Sequence, residues 1–155
     1  MITIQSSVDV KNITAQKLLD FMLRCSDAEY QKWWPGMHLR FHTVRGEPGV
    51  AGSLVFFDEY VGRRRLKFYA VIREVVPGRK VTWQMKAGVE LPAWLSLEVE
   101  ETPHGVHLIH TLAAGFEGPG RVFDPLLRLY LSPAFARELD DHARTEFPRL
   151  AEMLA

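Results

Sequence analysis

Residues 124–155 read DPLLRLYLSPAFARELDDHARTEFPRLAEMLA, the longest helical pattern in the chain. Asp124 followed by Pro125 is a helix start: a carboxylate accepts orphan N–H groups, and a proline sits where its missing N–H costs nothing. At about 100° per residue, Phe135, Ala136, Leu139, Ala143, Phe147, Leu150 and Leu154 fall on one side. Arg137, Asp140, Asp141, Arg144 and Thr145 fall largely on the other. Such a helix needs a large apolar surface to lie against. Ser132-Pro133 reads as a second start, which leaves open one kinked helix or a short helix followed by a longer one. In the second case residues 125–131 become a candidate lid.

The 155 residues are expected to form a single domain, since a chain of this length buries roughly 70% of its unfolded surface. Acidic and basic residues balance at 19 each, which argues against nucleic acid as a partner. Cys25 is the only cysteine, so no intramolecular disulfide forms. The N-terminal MITIQSSVDVK lacks the basic and apolar regions of a secretory leader, and no apolar run approaches the ~20 residues of a membrane span. The expectation is a cytoplasmic protein without stable membrane insertion, monomeric or homodimeric.

Residues 2–10 alternate as a strand. A short helix capped by Asn12 or Thr14 follows, and then a second in which Ser26-Asp27-Ala28-Glu29 fits a capping box and Pro35-Gly36 sets the end. From Met37 the period drops from near four to near two. Turn chemistry at 46–49, 62–63, 77–78, 86–92 and 103–105 separates six strands, at about 38–45, 52–61, 65–76, 80–86, 94–101 and 106–116. Short connections imply an antiparallel meander. Leu66, Phe68, Ala70 and Ile72 share a face, as do Val81, Trp83 and Met85, then Leu95, Leu97 and Val99, then Leu108, His110 and Leu112. The run Leu54-Val55-Phe56-Phe57 is apolar on both sides and does not reveal its inward face.

The order β-α-α-β6-α, with Trp33-Trp34-Pro35 closing the second short helix, resembles the START/Bet v 1-like (SRPBCC) superfamily. The stretch from Glu74 through Pro77-Gly78 to Trp83 and the stretch Gly105-Val106-His107-Leu108 are similar to it as well, on the side of its polyketide cyclase/dehydrase-like branch. The resemblance covers the whole chain and brings no catalytic motif. It implies an α+β helix-grip fold: a curved, seven-stranded antiparallel sheet wrapped around the C-terminal helix. It also implies a mostly apolar cavity between them for a hydrophobic small molecule such as a lipid, polyketide or aromatic metabolite. The expected lining is Phe56, Asp58, Phe68, Trp83, Met85, Leu97, Leu108, Leu112, Phe135, Ala136, Leu139 and Ala143.

For chemistry, His110 is the first candidate, a polar ring among apolar wall residues that could orient a ligand or move a proton. Tyr60 and Arg40 are candidates to position an oxygen. No metal or other cofactor is expected. His104, His107 and His110 cannot converge, because strand residues three apart face opposite ways. His38 and His42 share a face but lie roughly 13 Å apart, too far to chelate one ion. His142 and Glu146 are one helical turn apart, with no third ligand in evidence, and read as a rim hydrogen bond. Arg63-Arg64-Arg65 reads as a solvated hairpin tip. No phosphate-binding loop, dinucleotide fingerprint or nucleophile elbow occurs. Three classes of function remain: a carrier of an apolar ligand, a cyclase/aromatase-type enzyme using acid–base groups in the cavity, and a protein-interaction module.

Overall fold

Turn and cap chemistry sets the element boundaries. A computed structural model describes residues 1–155. Strand β1 (Ile2–Lys11) leads to helix α1 (Ala15–Arg24), whose N-cap Thr14 accepts from the Lys17 N–H. Helix α2 (Asp27–Trp33) starts at Ser26, which accepts from the Glu29 N–H and donates to the Glu29 carboxylate, as a capping box requires. The meander comprises β2 (His38–Arg45), β3 (Leu54–Val61), β4 (Arg64–Val76), β5 (Lys80–Ala87), β6 (Val89–Thr102) and β7 (Gly105–Ala114). All neighbours are antiparallel, in the order β1-β7-β6-β5-β4-β3-β2. This is the expected helix-grip sheet.

One strand start differs markedly from the sequence reading, and the alternative left open at Ser132-Pro133 is decided. Strand β6 begins five residues earlier than expected, because residues 89–92 continue along β5 past the end of β7. Pro92 is tolerated there: the last β6–β7 pair is Ala93–Ala114, so its missing N–H breaks no ladder bond on that side. The terminal segment is broken. A 3-10 helix (Gly118–Phe123) and α3 (Asp124–Tyr130) precede α4 (Pro133–Leu154), and Ser132 caps α4 by accepting from the Phe135 N–H. Pro133, just behind that cap, sits where its missing N–H is harmless.

Helix α4 lies on the concave face of the sheet, against β1, β3 and α2. Its Ala143, Phe147, Leu150 and Ala151 join a core cluster of 25 residues that includes Leu18, Trp33, Phe57, Trp83 and Leu108. Its N-terminal half is held by a separate cluster of only 5 buried residues, Ile4, Val61, Leu112, Phe135 and Leu139. Each fully buried Leu or Phe contributes roughly 1.5–3 kcal/mol, so the C-terminal half of α4 is far the better anchored.

The seam between β1 and β7 depends on a close approach. A Cβ on Gly105 would stand 2.0 Å from the Val10 carbonyl oxygen. Gly105→Ala therefore forces the two strands apart at the Lys11–Gly105 end of their ladder. A loss of about 1–3 kcal/mol is expected, read as a lower denaturant midpoint. An unchanged midpoint would contradict this packing.

Candidate functional site

The polar centre of the molecule is built from four side chains on three elements. His142 and Glu146 sit one turn apart on α4, at spacings i+3 and i+7 from Leu139, which places them at the edge of the apolar stripe. That edge is not solvent. Helix α2 covers it: Trp34 stacks on His142 (centroids 4.7 Å apart), and Trp33 Nε1 donates to the Glu146 carbonyl at 2.6 Å. His142 and Glu146 are only 5% and 6% exposed, so the rim reading is corrected.

The third and fourth residues come from the sheet. Glu59 shares the inward face of β3 with Val55, Phe57 and Val61, which belong to the two cores. His38 pairs with Glu59, while Arg40 pairs with Asp58, so Leu39 is an extra residue on β2. This β-bulge interrupts strict alternation. It points His38 inward and Arg40 outward, whereas unbroken alternation would give them one face. His42 lies beyond it and points away from the core, its Nδ1 2.7 Å from Asp27. The expectation that His38 and His42 share a face fails for this reason.

His38 Nε2 and His142 Nε2 each lie 2.9 Å from the same oxygen of Glu146. They stand 3.7 Å and 3.4 Å from Glu59 Oε2, to which Tyr30 donates its hydroxyl at 2.6 Å. The donor atoms of His38, Glu59, His142 and Glu146 all fall within 4.8 Å of one another, a spacing that could hold a cation. Neither Nδ1 has a protein partner, so the rings address the carboxylates through Nε2 alone. The Tyr30 ring lies on His38, with centroids 3.9 Å apart and planes 6° from parallel.

Burial alone would lower the His142 pKa, but the Glu146 and Glu59 carboxylates outweigh it and hold the imidazole at about 10. Burial would raise Glu146, and the two imidazoles reverse this, holding it well below the ordinary carboxylate range. Burial pushes the Tyr30 phenol upward, with Glu59 and Glu146 adding to it.

Beside this cluster lies an internal space of about 30 Å³. Glu59, His110 and Glu146 are its polar lining; Met22, Tyr30, Trp33, Phe57, Trp83, Leu95, Leu97 and Phe147 are the remainder. Burial lowers the His110 pKa, with Glu146 and Glu59 opposing it in part. Of the expected cavity residues, Trp83, Leu97, Leu108 and Ala143 lie in the main core, with Phe68 packed against it. Leu112, Phe135 and Leu139 lie in the smaller cluster, with Met85 and Ala136 against it.

Phe56, Asp58, Tyr60 and Arg40 do not face the helix. They lie on the convex side, because the inward parity of β3 is that of Val55, Phe57 and Glu59. There Arg40 covers the Phe56 ring at 4.8 Å, and Asp58 accepts from Arg40 and, through both oxygens, from Arg65. Nor is the arginine run simply a solvated tip. Arg64 donates to the Tyr130 carbonyl at 2.9 Å and lies over the Tyr130 and Phe135 rings, tying α3 to β4.

Hydrogen bonds from Arg65, opposed by burial and aided by Arg40, hold Asp58 below its ordinary carboxylate value of 3.8. A depressed carboxylate stabilises the fold above its unfolded pKa, and that contribution disappears as pH falls through the folded value. Asp58→Asn should cost about 1–2 kcal/mol at neutral pH, a modest figure because both arginines are half exposed. The gap between variant and wild type in denaturation midpoint should close on acidification below about pH 3.8. A gap that persists at lower pH would show that packing, not charge, is responsible.

No protein-family model matches the chain, and no curated protein matches it in sequence. Solved structures do. A START superfamily protein from Mycobacterium smegmatis superposes with a TM-score of 0.67 at 14% identity, over 99% of each chain. Major latex-like protein 151 from Panax ginseng gives 0.56 at 13% identity, over 91% of this chain and 95% of that one. The Aha1 dimer from Colwellia psychrerythraea gives 0.53 at 16%, over 94% and 98%. The likeness does not single out the polyketide cyclase/dehydrase-like branch. What the protein shares with these structures is the START/Bet v 1-like helix-grip fold.

Proposed function

We propose that the protein binds a small, mostly apolar molecule carrying one polar group, held between the concave face of the sheet and α4. The observation that carries this reading is the lining of the internal space: eight hydrophobic side chains around Glu59, His110 and Glu146. Apolar walls with a few convergent polar groups are what a small-molecule site requires. The START/Bet v 1-like fold supports the same reading, since it places such sites between sheet and helix. A lipid, a polyketide or an aromatic metabolite with one hydroxyl, carbonyl or carboxyl group has the required character.

At about 30 Å³ the space holds only one or two waters, so the ligand enters by separating α4 from the sheet. The N-terminal half of α4, held by the five-residue cluster, is the end that opens at least cost. The segment above it, the 3-10 helix and α3, buries no side chain of its own. Leu126 and Leu129 are among its exposed apolar residues and provide surface to close over a ligand.

One observation favours a second reading, catalysis of the cyclase or aromatase kind. His110, kept neutral by burial and facing the same space as Glu59 and Glu146, has the properties of a general base.

Native mass spectrometry of protein taken directly from cells should show a retained small molecule. Hydrogen exchange in residues 118–131 should be faster than in the C-terminal half of α4 and should slow when that molecule is bound. Repeated absence of any retained molecule, with exchange in 118–131 as slow as in α4, would sink the proposal.

A further inference from the structure

We infer that His38, Glu59, His142 and Glu146 form a binding site for one divalent first-row transition-metal ion of the zinc, manganese or iron(II) kind. The inference stands apart from the apolar-ligand reading and needs no metabolite. Metal–nitrogen and metal–oxygen bonds of about 2.0–2.2 Å place the ligand atoms of a tetrahedral site about 3.3–3.6 Å apart. The four imidazole-to-carboxylate separations here are 2.9, 2.9, 3.4 and 3.7 Å: two below that range, one within it and one just above. Small movements of side-chain termini are enough to seat an ion.

Charge leads to the same conclusion. Two ionised carboxylates and two neutral imidazoles carry a net charge of −2, which one divalent ion cancels. The ligands are also held in place before any ion arrives. Tyr30 stacks on His38 and donates to Glu59, and Trp34 stacks on His142. Such outer contacts orient ligating groups and raise affinity. Two imidazoles exclude calcium and magnesium as preferred ions, and the absence of thiolate removes the preference for softer ones. His142 and Trp34 border a surface depression of about 200 Å³, which gives an ion a path from solvent.

The test uses Co2+ as the probe, added to full-length protein first treated with a chelator. The expected result is uptake of one Co2+ per chain, with the visible bands of a low-coordinate site. Zn2+ should displace it, a large excess of Mg2+ should not, and Tm should rise. His142→Gln and Glu59→Gln, with far-UV circular dichroism confirming that they fold, should each weaken Co2+ binding about a hundredfold or more. His104→Ala/His107→Ala, altered away from the cluster, should bind as wild type does. The proposal is overturned if wild type takes up no stoichiometric Co2+. It is equally overturned if folded His142→Gln binds unchanged, or if binding disappears with His104 and His107 instead. Any of these results would make the cluster an ion-pair network held by protons.

Discussion

The interior chemistry of this protein depends on one extra residue in β2. Leu39 interrupts the pairing of β2 with β3, and the interruption gives His38 and Arg40 opposite faces. On the inside, His38 meets Glu59 and the two polar residues of α4. On the outside, Arg40 joins Arg65 around Asp58, so each of the two neighbouring carboxylates of β3 is paired on its own side of the sheet. Without the bulge, β2 would send Arg40 and His38 to the same face, leaving either Glu59 with His142 alone or Asp58 with Arg65 alone as its basic partner. Desolvating a carboxylate costs several kcal/mol, and the irregularity gives each of these two a second basic partner to offset that cost.

The fold was legible in the sequence because long strands with one wet face repeat every second residue. Leu66 to Ile72, Val81 to Met85 and Leu108 to Leu112 all show that period, and α4 shows its own. Ser132-Pro133 also announced itself, although only the structure shows that the segment is broken there. The inward face of β3 stayed hidden because its outer face is apolar too: Phe56 is covered there by Arg40 and Tyr69. A signal for Glu59 was present but weak, a carboxylate on the parity of Val55, Phe57 and Val61. Nothing local marks Leu39 as a bulge. The spacing of His142 and Glu146 was visible, but periodicity shows only that one side of a helix is apolar. It does not reveal that α2, through Trp33 and Trp34, covers the flank.

The buried cluster is not explained by stability. Replacing buried ion pairs by apolar residues of similar volume is often neutral or stabilising, and the main core already holds the C-terminal half of α4. His38, Glu59, His142 and Glu146 thus occupy interior room that apolar side chains commonly fill. A role in binding, as proposed above, would give these groups a purpose other than the fold, and α4 is anchored least at its N-terminal end.

The pairing of β1 with β7 has a consequence for the order of assembly. Strands β2 to β6 each pair with the next strand along the chain, so the meander grows by local hairpins. Strand β1 has only one partner, with Ile2 opposite Ala114, and it cannot dock until the last strand exists. It is made first and placed last. Helix α4 rests partly on β1, so it too waits for that closure. The seam at Gly105 and Val10 is therefore where a sheet built from nearest neighbours gains its one distant strand, at the loop-entropy cost that slows folds with distant contacts.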